Sequence, residues 1–296
     1  MGEIAENSIQ KFYDITNYIT AVACYNSFCD ELRNHTIKLD GSNSLLSLID
    51  KYVLDDKNKR FVKTINEKTK LYRARIANDK DINLSNGFEL KYNKFSGFNE
   101  TNSREAPFGI GVPAGRNNIS GVSYIYLAND IVTACSEVKP SFYDIISVAE
   151  FESTRKFNVI DFSEDVNFSM SEEMDDKVRL SLLFSYIMKA YTIPATTNEQ
   201  YMISQFVSDY IRKAGFDGVV YKSFYSKDGI NYTIFNSHHS YLKYNWSKLM
   251  VYLSQNQHFL DMNEMSVTTV DSLIGLDKKE EIHLDITNYL LKKNIK

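Results

Sequence analysis

The chain has 296 residues, 43% of them hydrophobic and 24% charged, and a formal net charge of −4 at pH 7. This length suits one large domain or a domain with an appendage, and the apolar content is enough for a sizeable core. The acidic balance argues against bulk nucleic-acid binding, which depends on clustered Lys and Arg. No apolar run approaches the ~18 residues that would span a membrane.

Residues 8–66 show the apolar periodicity of helices. Apolar side chains recur at three- and four-residue steps in two groups: Phe12, Ile15, Ile19 and Val22, then Leu45, Leu46, Ile49 and Val53. The sequence Asp-Gly-Ser-Asn at 40–43 predicts a turn and a helix N-cap between the two groups. Residues 1–66 contain no metal ligands and no paired acid and base, so we predict a helical N-terminal module with a packing or partner role.

The pattern changes to that of a strand at residue 70, because polar and apolar side chains alternate over 71–76. The two faces of this strand carry Tyr72, Ala74 and Ile76 on one side and Arg73 and Arg75 on the other. Residues 78–115 are rich in Asn, Gly, Ser and Glu and predict a long loop. Long irregular loops inside compact domains are more often functional than idle.

A strand and a short helix are predicted after this loop. The strand covers 122–128, and Asn129 or Asp130 can cap a helix that runs to about Val138 and that Pro140 ends. Arg116, the tyrosines of the strand and Glu137 fall within 22 residues. A cation, an aromatic ring and a carboxylate suit a dinucleotide, whose phosphates need positive charge, whose base needs a stacking partner and whose ribose bond needs a nearby anion.

The rest of the chain predicts further strands and helices. Strands are expected at 145–152, 158–161, 219–221 and 231–235, and helices at 171–190 and 199–214. Residues 241–296 are expected to form a C-terminal extension packed on the central domain, with a strand or helix at 282–291. The predicted domains are therefore 1–66, 67–240 and 241–296.

The cysteine and histidine content predicts no metal site. Cys24, Cys29 and Cys135 lack metal-ligand spacing and leave an odd thiol, which favours a reduced cytoplasmic setting. The N-terminus lacks a basic region followed by an apolar core, so no signal peptide is predicted. The adjacent His238 and His239 cannot easily converge on one ion.

Short motifs follow one another between residues 70 and 236. They are Leu71-Tyr72-Arg73-Ala74-Arg75, Ala106-Pro107, Gly115-Arg116-Asn117-x-x-x-Gly121-x-x-Tyr124-x-Tyr126-Leu127-Ala128, Asp130-x-x-Thr133-Ala134-x-x-Glu137-Val138-Lys139-Pro140 and Phe216-Asp217-Gly218-Val219-Val220-Tyr221-x-Ser223. Each motif alone is weakly specific. Together and in this order they resemble the RES domain, a family named for an arginine, a glutamate and a serine.

The resemblance implies an α+β fold with a mixed, split β-sheet like that of the diphtheria-toxin-type ADP-ribosyltransferases. It implies NAD as substrate, no cofactor besides, and a toxin restrained by an inhibitory antitoxin-type protein. By position, Arg116 would be the family's arginine, Glu137 its glutamate and Ser223 its serine. Tyr126 would be the pocket tyrosine, and Arg73 the first-strand arginine that reaches the same cleft. Where many members follow the arginine with an aromatic residue and then Asn, this chain has Asn-Asn at 117–118.

These side chains suit such a reaction. Cleavage of the nicotinamide–ribose bond builds positive charge on the ribose, and a carboxylate such as Glu137 would stabilise that state more than the ground state. Arg73 and Arg116 could clamp the diphosphate as bidentate donors, and Arg75, on the same face of the strand as Arg73, is a further candidate. The ring of Tyr126 could stack on nicotinamide.

Each residue also has an ordinary structural interpretation. Two arginines on one strand are usually a solvated face, and a tyrosine in an aromatic-rich chain is usually core. Glu137 could pair with Lys139 or Arg73. Ser223, which could donate to a phosphate or ribose oxygen, could equally be a turn residue.

The expected function is consumption of NAD by a glycohydrolase or a phosphorylase, with water the favoured acceptor. The first alternative is transfer of ADP-ribose to a protein or nucleic acid. Cys135 stands where such transferases often carry an acidic or polar residue, which favours small acceptors. The second alternative is a non-catalytic sensor of NAD or ADP-ribose. An inhibitory partner is expected, and the N-terminal helices could serve control or formation of a homodimer.

Overall fold

A computed structural model gives the fold of this protein. It describes residues 19–39, 44–54, 60–77, 97–104, 111–164, 184–195, 197–235, 241–254, 258–261 and 266–268. No helix among these residues is long and apolar enough to cross a membrane. The predicted features outside them are Phe12, Ile15, the turn at 40–43, Ala106-Pro107, His238, His239 and the element at 282–291.

The chain forms two compact units, each assembled from separate segments. Unit 1 comprises Met1–Ile65, Val112–Tyr124 and Phe157–Lys222, and unit 2 comprises Asn66–Gly111, Ile125–Lys156 and Ser223–Lys296. The chain contains helices together with parallel and antiparallel strand pairs, so the predicted α+β class with a mixed sheet is confirmed. The division into domains at 66/67 and 240/241 stays a prediction.

Of the two predicted apolar groups in the N-terminal helices of unit 1, the second is buried and the first is buried only in part. Helix α1 covers residues 19–33, and helix α2, Ser44–Ile49, continues as a π-helical turn at Asp50–Leu54. The second apolar group is confirmed as core: Leu45, Leu46, Ile49 and Val53 are each 1% exposed. The first apolar group does not lie wholly in the core, because Ile19 is 61% exposed.

Aromatic packing explains which side of α1 is buried. The ring of Phe28 meets that of Phe206 at 5.6 Å, and Tyr25 stacks on Tyr186 at 4.4 Å between ring centroids. Large rings bury more apolar area than one isoleucine, so they turn Ile19 outward.

Three strands of unit 1 pair in the order β1-β5-β6. Strand β1, Val62–Ile65, runs antiparallel to β5, Phe157–Asp161, and β5 runs parallel to β6, Gly218–Lys222. The prediction that helices continue to residue 66 is therefore wrong at β1. The four residues of β1, Val-Lys-Thr-Ile, are too few for periodicity to separate a helix from a strand, and the pairing of β1 with β5 decides between them.

Helices connect β5 to β6 within unit 1. Helix α5 covers residues 184–192, and a 3-10 turn at Asn198–Tyr201 leads into α6, Met202–Lys213. Both predicted helices are confirmed in their described parts. The buried hydroxyl groups of Tyr191 and Ser208 lie 2.9 Å apart and hydrogen bond across these two helices.

Seven antiparallel strands of unit 2 pair in the order β7-β3-β2-β4-β8-β9-β10. They are β2, Lys70–Ile76; β3, Ile125–Ala128; β4, Ile145–Ser153; β7, Ile230–Ile234; β8, Leu242–Ser254; β9, His258–Asp261; and β10, Ser266–Thr268. Strands β2 and β3 meet in register at Tyr72 and Ala128. The strands predicted at 70, 122, 145 and 231 are confirmed, although β3 starts three residues later than expected.

Two helices lie among the described residues of unit 2. Helix α3, Glu100–Arg104, falls inside the segment predicted as loop, so that prediction is wrong for these residues. Helix α4, Ile131–Glu137, packs through Ala134 and Cys135 on a core that includes Ile146 and Met250. This packing sets the position of the last residue of α4.

Candidate active site

Glu137 is the last residue of α4, and a strong N-cap fixes that helix. Asp130 accepts hydrogen bonds from the backbone N–H of Thr133 at 2.8 Å and from its hydroxyl at 2.7 Å. Cys135, two residues before Glu137, is fully buried. The glutamate is half-buried at the opposite end of a helix that is capped and packed along its length.

Two side chains hold one oxygen of the Glu137 carboxylate. The hydroxyl of Ser223 donates to Oε1 at 2.5 Å, and the amide Nδ2 of Asn231 donates to the same oxygen at 2.7 Å. Within the described part of unit 2, Oε2 accepts no hydrogen bond. One edge of the carboxylate is therefore anchored, and the other is available to a ligand.

Ser223 belongs to a tight loop, residues 223–229, that precedes β7. Its Oγ accepts hydrogen bonds from the backbone N–H groups of Tyr225 and Ser226, each at 3.1 Å, and its own N–H donates to the carbonyl of Gly229 at 2.8 Å. The hydroxyl proton thus points to Glu137 rather than to a ligand. The sequence predicts donation from Ser223 to a phosphate or ribose oxygen; in this structure its hydroxyl donates to the Glu137 carboxylate.

Asn231 was absent from the predicted site residues. It lies on β7 and is 6% exposed. The signal in the sequence is an amide side chain inside a strand otherwise made of the strand-forming residues Ile, Tyr and Thr, where Asn is disfavoured. A buried amide needs hydrogen-bond partners, and here the partner is a carboxylate 94 positions away.

Tyr126 lies on the same sheet face as Asn231. In the β3–β7 register Tyr126 pairs with Thr233 and Ala128 pairs with Asn231, and residues two apart on a strand share a face. The Tyr126 ring is half-buried. This face of the sheet therefore carries both the ring and the amide that holds Glu137.

Arg73 and Arg75 lie on β2 and tie it to α3. Arg73 donates to the carbonyl of Arg104, and Arg75 donates to that of Asn102. Desolvation, together with the like charges of Arg75 and Arg104, lowers the pKa of Arg73 to about 10, and the Tyr126 hydroxyl partly offsets this shift. Arg73 therefore stays protonated at neutral pH. It lies close enough to Tyr126 for the tyrosine to affect its pKa.

Arg116 lies in unit 1. Its Nη1 donates to the carbonyls of Ala190 and Ile193 at 3.1 and 2.8 Å, at the C-terminal end of α5. Its guanidinium carbon lies 5.1 Å from the centre of the Tyr201 ring. A cation at a helix C-terminus is a stabilising structural arrangement. Nε and Nη2 have no acceptor among the described residues of this unit.

The structure tests the ordinary structural interpretations of Glu137 and of the two strand arginines. Glu137 forms no ion pair with Lys139 or Arg73 in the described part of the chain, and the Lys139 ammonium lies 5.4 Å from the Tyr225 ring centre. The two strand arginines do not form a plain solvated face, because both donate to α3 carbonyls. No group of three His, Cys, Asp or Glu side chains in the described residues could hold a metal.

Comparison with protein families identifies the chain. The model of the RES domain matches residues 88–245, more than half of the sequence. The chain belongs to the RES domain family. A search of curated proteins found no match.

Proposed function

We propose that this RES-domain protein is an enzyme that cleaves the nicotinamide–ribose bond of NAD. The observation that supports the proposal best is the Glu137 carboxylate, held at Oε1 by Ser223 and Asn231 with Oε2 unengaged by described residues. A fixed anion with one oxygen available suits a reaction in which positive charge develops on a sugar. The fold would then be the split sheet of ADP-ribosyltransferases.

The proposed reaction breaks the bond between ribose C1′ and the pyridinium nitrogen. The bonding electrons leave with nitrogen, so the cationic pyridinium becomes neutral nicotinamide and the ribose becomes oxocarbenium-like. Oε2 of Glu137 would accept a hydrogen bond from a ribose hydroxyl, a contact that strengthens as the charge grows. A water oxygen then bonds to C1′ and releases a proton to solvent, which yields ADP-ribose. With phosphate as acceptor a phosphate oxygen bonds to the same C1′, and the product is ADP-ribose phosphorylated at that carbon.

The other site residues are assigned to binding. Tyr126 would stack on nicotinamide, which needs no strong general acid to depart. Arg73 would take the diphosphate, with Arg75 and Arg116 as further cationic candidates. Arg116 and Tyr126 are also proposed as catalytic residues beside Glu137. Metal and cofactor have no part in this scheme.

Loss of NAD harms any cell, so the proposed biological role is that of a toxin in the cytoplasm. Such a protein needs restraint, and an inhibitory antitoxin-type partner is proposed for that task. A homodimer is the other assembly proposed.

The central experiment measures nicotinamide release from NAD by purified protein. Glu137→Ala should lower kcat by about two orders of magnitude or more with a modest change in KM, since removal of one charge-stabilising group costs roughly 10²–10³-fold. Glu152→Ala, which truncates another half-buried carboxylate of unit 2, is the matched control and should stay near wild type. An unchanged rate in Glu137→Ala contradicts the proposed role.

A second pair of variants separates binding from structure at Arg116. Arg116→Ala should raise KM for NAD at least as much as it lowers kcat. It should also lower Tm, because the carbonyls of Ala190 and Ile193 lose their donor. Arg116→Lys keeps the charge but loses the planar fork. A lower Tm with unchanged kinetics would restrict Arg116 to a structural role in unit 1.

Intact-mass spectrometry of cell extract incubated with the protein and NAD tests the alternatives. A mass increase on a protein or nucleic acid would replace the proposal with macromolecular ADP-ribosylation. Tight NAD binding without turnover over hours would replace it with a sensor.

A further inference from the structure

The three-residue group of Glu137, Ser223 and Asn231 has an asymmetry that the proposed reaction does not by itself require. Both donors bind Oε1, at 2.5 and 2.7 Å, and neither binds Oε2. A carboxylate has acceptor sites on both oxygens, so two donors on one oxygen fix its direction as well as its place. The group faces a ligand through a single defined oxygen.

The two donors differ in how firmly they are held. Ser223 lies on the loop 223–229, where its Oγ accepts from the N–H groups of Tyr225 and Ser226. Asn231 lies inside β7, which pairs with β3 at Ala128, and its side chain is 6% exposed. A group on a strand is placed more accurately than one on a loop. The amide orientation is unambiguous, because only Nδ2 can donate to a carboxylate.

We propose that Asn231 is the positioning residue of this site: its amide N–H fixes Glu137 Oε1 so that Oε2 is presented to the ribose hydroxyls of NAD. This inference rests on the proposed function for the identity of the ligand. Its geometric part, control of the Glu137 carboxylate by Asn231, stands on the described contacts alone.

The chain offers a closely matched control. Asn245 Nδ2 donates to Oε1 of Glu150 at 3.0 Å, also in unit 2, and Glu150 is 4% exposed. Asn231→Asp and Asn245→Asp are therefore the same isosteric change on the same kind of contact. Each removes a donor and sets two carboxylates against each other. Asn231→Ala removes the donor without adding charge and serves as a second variant.

The first measurement is NAD turnover. Asn231→Asp and Asn231→Ala should lower kcat roughly tenfold to a hundredfold with KM within about twofold, because small misplacement of a catalytic group costs rates of this order. Asn245→Asp should leave both constants within about twofold. A rise in KM alone, or wild-type kcat in both Asn231 variants, overturns the inference.

The second measurement does not depend on activity. Carboxyl carbons of labelled glutamate are followed by NMR over pH, and Glu137 is assigned by loss of its signal in Glu137→Gln. Asn231→Asp should raise the titration midpoint of Glu137 by at least about one pH unit, since two close carboxylates share a proton. Asn245→Asp should not move it. The charged residues on or beside α4 and the loop 223–229 are the same in both variants: Asp130, Lys139, Lys227 and Asp228. So are those on the strands packed against α4: Lys70, Arg73 and Arg75 on β2, and Glu150 and Glu152 on β4.

The two measurements separate the two ideas. An unmoved Glu137 midpoint in Asn231→Asp overturns the positioning role whatever the enzyme does. If the midpoint moves in Asn231→Asp but the wild-type protein releases no nicotinamide, the positioning of Glu137 by Asn231 stands and the proposed function is wrong.

Discussion

Glu137 occupies an unfavourable place for an anion, at the C-terminal end of a helix. The helix dipole there repels negative charge. Two donors to Oε1 offset this repulsion, since hydrogen bonds to a charged acceptor are stronger than neutral ones. A carboxylate kept in an unfavourable field by dedicated partners is more typical of a functional site than of a surface ion pair.

The three thiols provide a test of burial at single residues. Burial raises the pKa of both Cys29 and Cys135, whereas Cys24 is half-exposed. A higher pKa leaves less of the reactive thiolate at neutral pH. We expect a maleimide to modify Cys24 first in the native protein, and Cys135 only after unfolding. Peptide mass spectrometry over time measures this order, and early labelling of Cys135 would contradict the packing of α4.

At the level of elements, the loop 223–229 fits closely against α4. A Cβ added at Gly229 would lie 2.6 Å from Oγ1 and 2.7 Å from Cγ2 of Thr133. The same loop places Ser223, whose N–H is bonded to the Gly229 carbonyl. The absence of a side chain at residue 229 is therefore tied to the position of the serine that holds Glu137.

Gly229→Ala should destabilise the protein by about 1–3 kcal/mol, as overpacking does, and should lower kcat because Ser223 moves. Denaturant unfolding and nicotinamide release measure the two effects. Thr133→Ala removes two of the three close atoms; the third, Cβ of Ser226 at 2.7 Å, belongs to the same loop. Gly229→Ala combined with Thr133→Ala should therefore cost less than the sum of the single changes. Strict additivity would show that contact with α4 is not the cause.

At the level of the whole molecule, ligand binding should raise thermal stability. Glu137→Gln keeps the shape of the site while it prevents turnover, so NAD remains intact. At about 100 times Kd a ligand adds roughly 2.7 kcal/mol, and for a chain of this size that raises Tm by about 5 °C.

Differential scanning fluorimetry of Glu137→Gln with and without NAD measures this shift. Adding Arg73→Ala should reduce the shift, because the diphosphate loses a proposed donor. Adding Arg33→Ala, which removes an exposed cation paired with Asp30 on α1, should not change it. Equal shifts in both variants would remove Arg73 from the NAD site.

The sequence by itself determined the local elements and the family. The alternation over 71–76 and the helix cap at Asp130 depend on near neighbours, so they can be predicted without the fold. The ordered motifs likewise identified a RES domain, which the family match confirms.

Only the tertiary structure decided which distant residues meet. Ser223 and Asn231 lie 86 and 94 positions from Glu137. The family resemblance assigned Ser223 to the same site, but no local pattern showed that both side chains donate to the Glu137 carboxylate. The tertiary structure also decided three other features: the strand at β1, the exposure of Ile19 and the donation from Ser223 to a carboxylate. In each case packing between distant segments outweighed a local preference worth less than about 1 kcal/mol per residue.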